Sequence, residues 1–188
     1  MILLAVVSFC ALIVATVVKE RAFQATAEHT QAVNRFDTKI LGIAQAIGTQ
    51  QESSGLPQIF EMLKGSRPLN PAAIATGRRK VDELLLAIDT GSSRFEQAKA
   101  ELIAKYPTDA KSAELAATKL ELALAIKRRY LDEVGHLLDF LTEKDGSYTM
   151  SESGPRFQTQ VDADAFNAFL NRIVTQERDM AARQIPQK

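Results

Sequence analysis

The strongest constraint on this chain is an uncharged run, Ile2 to Val18, in which only Ser8 and Thr16 carry clearly polar groups. As a helix rising about 1.5 Å per residue, such a run reaches the lower limit for crossing the hydrocarbon of a bilayer. A buried helix of a soluble core normally keeps one polar face, whereas this segment is apolar on every side, which fits a membrane span better. A cleaved signal peptide needs basic residues before the apolar run and a small-residue site soon after it. Here nothing basic precedes the run, Lys19 and Arg21 follow it directly, and the candidate cut at Ala25-Thr26-Ala27 lies well downstream. Cys10 follows the bulky Phe9, which does not suit lipidation. Residues 1–18 are therefore expected to be an uncleaved single-pass transmembrane anchor, with a cleaved signal as the alternative. Lys19 and Arg21 would hold the downstream flank in the cytoplasm, but that rule weakens for long domains, and an extracytoplasmic domain is the preferred topology.

The remainder suits one domain over residues 19–184 with a short tail at 185–188, because a single core normally serves about 100 to 200 residues. Lys and Arg number 23, as do Asp and Glu, so no net field draws the chain to nucleic acid, and no nucleic-acid partner is expected. Aromatics make up 6% of the chain and Trp is absent, while Ala, Leu, Gln, Glu and Lys are plentiful, which is a helical rather than a β vocabulary. Cys10 is the only cysteine, so no disulfide can form within the chain.

Periodicity supports an all-α fold. Val33, Phe36, Ile40, Ile43 and Ile47 recur at spacings of three and four, the stripe of a helix that continues the span as one rod. Gln50 to Pro57 breaks it, and a short amphipathic turn is expected over Gln58 to Lys64. Asn70-Pro71 is a helix start, with Asn as cap and Pro at the first helical position. The stripe Ile74, Val81, Leu84, Leu85, Ile88, Phe95, Leu102, Ile103 keeps its phase through Gly91, which predicts one helix to Tyr106, bent or not at the glycine. It would be about 54 Å long at 1.5 Å per residue. Pro107 ends it, and Thr108 or Asp109 caps the next.

That next helix carries two stripes, Leu120, Leu124, Leu131, Val134, Leu138, Leu141 and, beside it, Leu115, Leu122, Ile126, Tyr130, Leu137, which together predict a broad apolar face. Lys127 falls in phase with the first, so its stem is expected to pack while its ammonium reaches water. The tight link at Pro107 favours an antiparallel helical hairpin. Residues Ser147 to Thr159 change character around Ser153-Gly154-Pro155, predicting a small β-hairpin or an extended loop. Asp162 or Asp164 then opens a last helix with Phe166, Phe169, Leu170, Ile173 and Val174 on one face. The sum is an elongated bundle of about four helices.

Chemistry is sparse. Glu133-Val134-Gly135-His136 has the E-x-x-H spacing that places two ligands on one helix face, but a di-iron centre needs a second copy and two more carboxylates, and the other histidine, His29, directly follows Glu28. A solvated helix face is the better reading, and no metal or cofactor is expected. There is no G-x-S-x-G, H-E-x-x-H, C-x-x-C or glycine-rich phosphate loop, so the chain is read as non-enzymatic. Arg78-Arg79-Lys80 and Lys127-Arg128-Arg129 are each followed by acids at helical distances, Asp82-Glu83 and Asp132-Glu133, which predicts local ion pairs rather than an anion site. The aromatic group Tyr148, Phe157, Phe166 and Phe169 has two readings. It lines a groove for a partner peptide or apolar ligand, or, as the preferred reading, it seats the hairpin and last helix on the bundle.

The motifs Leu137-Leu-Asp-Phe-Leu141, Gly146-Ser-Tyr148, Arg156-Phe-Gln-Thr159 and Phe166-Asn-Ala-Phe-Leu170 resemble a family of proteobacterial envelope proteins of unknown function. The resemblance covers mainly Leu137 to Ile173. It implies an N-terminal anchor, long helices, an envelope location and no assigned activity; with the apolar run read as an anchor, the expected place is the inner membrane with the soluble domain in the periplasm. The function expected is a membrane-anchored helical interaction or scaffold module that assembles with itself or with another envelope protein. A ligand-sensing four-helix bundle is the alternative, and a metal-binding or enzymatic bundle built on Glu133 and His136 ranks below both.

Overall fold

The computed structural model describes residues 27–52, 61, 71–151 and 154–182. The protein is mainly helical over these residues, with four helices and a small antiparallel hairpin before the last. They are α1 (Ala27–Glu52), α2 (Pro71–Lys105), α3 (Ala110–Glu143) and α4 (Gln160–Ala182), with strands β1 (Tyr148–Ser151) and β2 (Gly154–Phe157) between α3 and α4. None of the described helices is long and apolar enough to cross a membrane. The anchor expected at Ile2 to Val18 lies outside the described residues, as do the Asn70 cap, most of the short turn expected at Gln58 to Lys64, and the tail.

The backbone divides into two compact units, one from the described parts of Met1–Thr49, Ala87–Lys127 and Met180–Lys188, the other from those of Gln50–Leu86 and Arg128–Asp179. In the first, Phe36 and Ile40 of α1 are buried, and the Phe36 ring lies 5.7 Å from that of Phe95 on α2. Exposed Lys39 and Glu101 add an ion pair at 3.0 Å. Phe95, Ala98 and Leu102 bury one face of α2, and Ala113, Ala116, Ala117, Leu120, Ala123 and Leu124 one face of α3. The second stripe expected on α3 does not hold here. Leu115 and Leu122 are each 51% exposed, because the face turned inward here carries Ala116 and Ala123, one position along, with Leu120 and Leu124. Lys127 also departs from expectation. At 3% exposure its whole side chain, not only its stem, is inside.

In the second unit both stripes are buried: Tyr130 and Leu137 join Leu131, Val134, Leu138 and Leu141, packed with Ile74, Val81 and Leu84 of α2 and Phe166 and Ile173 of α4. Val81 lies beside Gly135 and Arg78 bonds Asp139 at 2.8 Å, so α2 and α3 run antiparallel here, as the tight Pro107 link predicts. α2 passes through Gly91 as continuous helix. A 3-10 turn, Pro107–Asp109, joins α2 to α3, and Asp109, expected as a cap, instead bonds His29 of α1.

Candidate interaction site at the hairpin

The hairpin is built from local rules. Its register pairs Tyr148 with Phe157, Thr149 with Arg156, Met150 with Pro155 and Ser151 with Gly154. Gln158 N donates to Ser147 O at 3.0 Å, which makes that neighbouring pair hydrogen-bonded. Alternation along an antiparallel ladder then makes Thr149–Arg156 hydrogen-bonded and leaves Tyr148–Phe157 and Met150–Pro155 as non-hydrogen-bonded pairs. Pro155 thus sits where its missing N–H costs the ladder nothing. Two glycines permit the turns at either end: Gly146 and Gly154 have φ of 78° and 109°, values L side chains rarely adopt.

Alternation also sorts the side chains. Tyr148, Met150, Pro155 and Phe157 share one half-buried face, while Thr149 and Arg156 on the other are exposed. The half-buried face meets the helices through aromatic rings. Phe157 is the hub, 5.4 Å from Tyr148 across the strands, 5.4 Å from Phe166 of α4 and 5.6 Å from Phe140 of α3, and Phe140 is 5.5 Å from Phe169 of α4. All contacts are tilted, the geometry favoured by the ring quadrupole. All four residues singled out from the sequence are therefore brought together. Phe140 is the member that sequence reasoning missed. Its signal was present, since it lies in the last turn of α3 beside the buried Leu141, but it is off both apolar stripes.

Phe166 is buried, whereas Phe140, Tyr148, Phe157 and Phe169 are each half-buried. Cations rim the group, with Arg172 4.6 Å above the Phe169 ring and Lys144 Nζ 6.0 Å from the Phe140 ring. Burial, then the Asp145 charge, pushes the Tyr148 phenol above its ordinary pKa, so the ring presents a neutral hydroxyl.

Entry into α4 is set by a reciprocal cap. Asp162 N donates to Thr159 Oγ1 at 3.1 Å, and the Thr159 hydroxyl donates to the Asp162 carboxylate at 2.7 Å. The helix thus starts at Gln160, two residues before the expected Asp162, because Thr159 supplies the cap and the Asp162 carboxylate holds its hydroxyl in place. Lys144 Nζ lies 3.0 Å from Asp162, and the Thr159 and Lys144 contacts hold that carboxyl below its usual range.

The other candidates disperse. Glu133 accepts from Arg172 at 2.9 Å, while His136 is exposed. Among the described residues, no group of three or more His, Cys, Asp or Glu side chains gathers as metal ligands would. In the first basic triplet Arg78 pairs with Asp82 and Asp139 and Lys80 with Glu83 at 2.6 Å, the local pairing expected. In the second, Lys127 is buried and the following Glu133 is engaged by Arg172 of α4. One further cluster went unforeseen. His29 packs on Tyr106 with ring centroids 4.7 Å apart and donates to Asp109, while the buried Tyr106 hydroxyl has no hydrogen-bond partner among the described residues. Residues 29 and 109 are too far apart in sequence for periodicity to pair them.

Comparison with protein-family models, with curated proteins and with solved structures gives no match.

Proposed function

We propose that this protein is a non-enzymatic helical interaction module, tethered to the bacterial inner membrane through Ile2 to Val18 and displaying the hairpin and the start of α4 to a protein partner on the periplasmic side. The observation that carries the reading is the aromatic group itself. A cluster that only seated the hairpin would hide its rings, yet Phe140, Tyr148, Phe157 and Phe169 keep part of their surface in solvent. Aromatic side chains on a framed, rigid surface with arginine at the rim are the residues that dominate protein interfaces. The anchor supports the reading from the sequence side, since an apolar run followed by a folded domain presents that domain at a membrane surface.

The test is photo-cross-linking in intact cells from Ala168, an exposed α4 position beside Phe169, with Gln97, exposed on α2, as control. A discrete adduct from Ala168 that Phe157→Ala abolishes is expected. Equal capture from both positions, or none from Ala168, would overturn the proposal.

A further inference from the structure

The two edges of the hairpin are chemically unlike. In a two-stranded sheet each strand has one side paired and one side open. The ladder alternation derived above aims the N–H and C=O of Tyr148 and Met150 outward from β1, and those of Phe157 and the C=O of Pro155 outward from β2. Among the described residues no hydrogen bond reaches the outward groups of Tyr148 or Met150. The β2 edge is guarded in two ways, by Pro155, which has no N–H to offer, and by the exposed charge of Arg156. β1 reads Tyr-Thr-Met-Ser, with neither proline nor charge, and nothing in it discourages another strand.

We propose that the β1 edge is the docking site for a second copy of this chain, the two β1 strands pairing antiparallel about a twofold axis at Thr149 to give a sheet in the order β2-β1-β1-β2. This rests on the reading of the hairpin as an interaction surface and names its partner. The register follows from the open groups. Setting Tyr148 of one copy opposite Met150 of the other satisfies every outward N–H and C=O of both strands, and the symmetry operation repeats the match on the other side of the axis. No other antiparallel register satisfies all of these groups using β1 residues alone.

The side chains agree with this choice of occupant. Tyr148 and Met150 lie on the half-buried face, so each tyrosine ring meets the other copy's methionine, a favourable aromatic–thioether pair, and the apolar face becomes continuous across the axis. At the axis Thr149 faces Thr149, which is uncharged. The same operation on β2 would oppose Arg156 to Arg156 and leave Pro155 without a donor, so self-pairing is permitted at one edge and opposed at the other.

The test uses the full chain in membranes with Cys10→Ser in every variant. The axis places the two Thr149 residues as a non-hydrogen-bonded pair about 4.5 Å apart at Cα, within the range a disulfide spans. Arg156, on the same exposed face, would be separated from its counterpart by three strand spacings of about 4.8 Å, beyond disulfide reach. Under mild oxidation Thr149→Cys is expected to form a covalent dimer at least about tenfold faster than Arg156→Cys, as the difference in reach requires. Met150→Pro removes an outward N–H without touching the β1–β2 ladder, and added to Thr149→Cys it is expected to return the rate to that of Arg156→Cys. Equal rates for Thr149→Cys and Arg156→Cys would overturn the pairing even if Ala168 captured a different partner. Rapid Thr149 cross-linking with no adduct from Ala168 would leave the pairing standing and overturn the display of the start of α4 to a partner.

Discussion

At the residue scale, the informative positions are those where a side chain is buried against its chemical preference or where one is missing. The buried Tyr130 hydroxyl lies 3.4 Å from Glu177, a long contact, and burial, then the Glu177 charge, pushes its phenol far above the ordinary 10.0. The neutral form is favoured in the native state, so above pH 10 the unfolded chain loses a proton that the folded one keeps, and stability falls as pH rises. In an ultraviolet titration Tyr130 is expected to ionise only on unfolding. Tyr130→Phe should cost less than about 1 kcal/mol in urea unfolding, because the bond lost is weak, whereas Tyr130→Ala should cost about 3 to 5 kcal/mol for the cavity. Two glycines invite the opposite change. An added Cβ meets nothing within 4 Å at Gly42, and at Gly135 only ordinary contacts of 3.5 and 3.6 Å to Val81 and Arg78. Gly42→Ala and Gly135→Ala are each expected to stabilise the fold by up to about 1 kcal/mol, measured the same way, through helix propensity.

At the element scale, magnitudes separate what holds each helix from what merely decorates it. α1 meets α2 through Phe36 on Phe95 and through the exposed Lys39–Glu101 pair. Phe36→Ala is expected to cost about 3 to 5 kcal/mol, while Lys39→Ala should cost under about 1 kcal/mol and the difference should vanish in high salt. α4 depends on its cap. Thr159→Ala is expected to lower stability by about 1 kcal/mol. Asp162 is held below its ordinary 3.8, so its contribution is complete above that value and is lost as pH falls below it. Asp162→Asn should therefore lower stability near neutrality, converge with wild type in acid, and so flatten the acid limb of a stability–pH profile. α3 shows the limit of pattern reading. Leu115 and Leu137 belong to one stripe in the sequence, yet the first is half exposed and the second fully buried. Periodicity assigns a face to a helix, and the neighbour that covers each stretch of that face is a tertiary matter.

At the scale of the whole molecule, the described residues build their cores from apolar side chains, with Glu133 engaged by Arg172 rather than held free. Chelator treatment is expected to leave the melting temperature of the full chain unchanged, and His136→Ala to melt with wild type. The sequence by itself determined the helical class, three of the four helices nearly to their ends, a hairpin or extended loop before the last helix and the aromatic residues that meet there. These follow from local periodicity, proline and glycine placement and turn chemistry, all of which act within a few residues. Only the tertiary structure decided that Phe140 joins the aromatic group, that Asp109 turns to His29, that Lys127 lies inside and that the outward backbone groups of Tyr148 and Met150 take no hydrogen bond among the described residues. Each of these depends on residues distant in sequence or on strand register, and the reach of a side chain or the phase of a ladder is set only when the elements are packed.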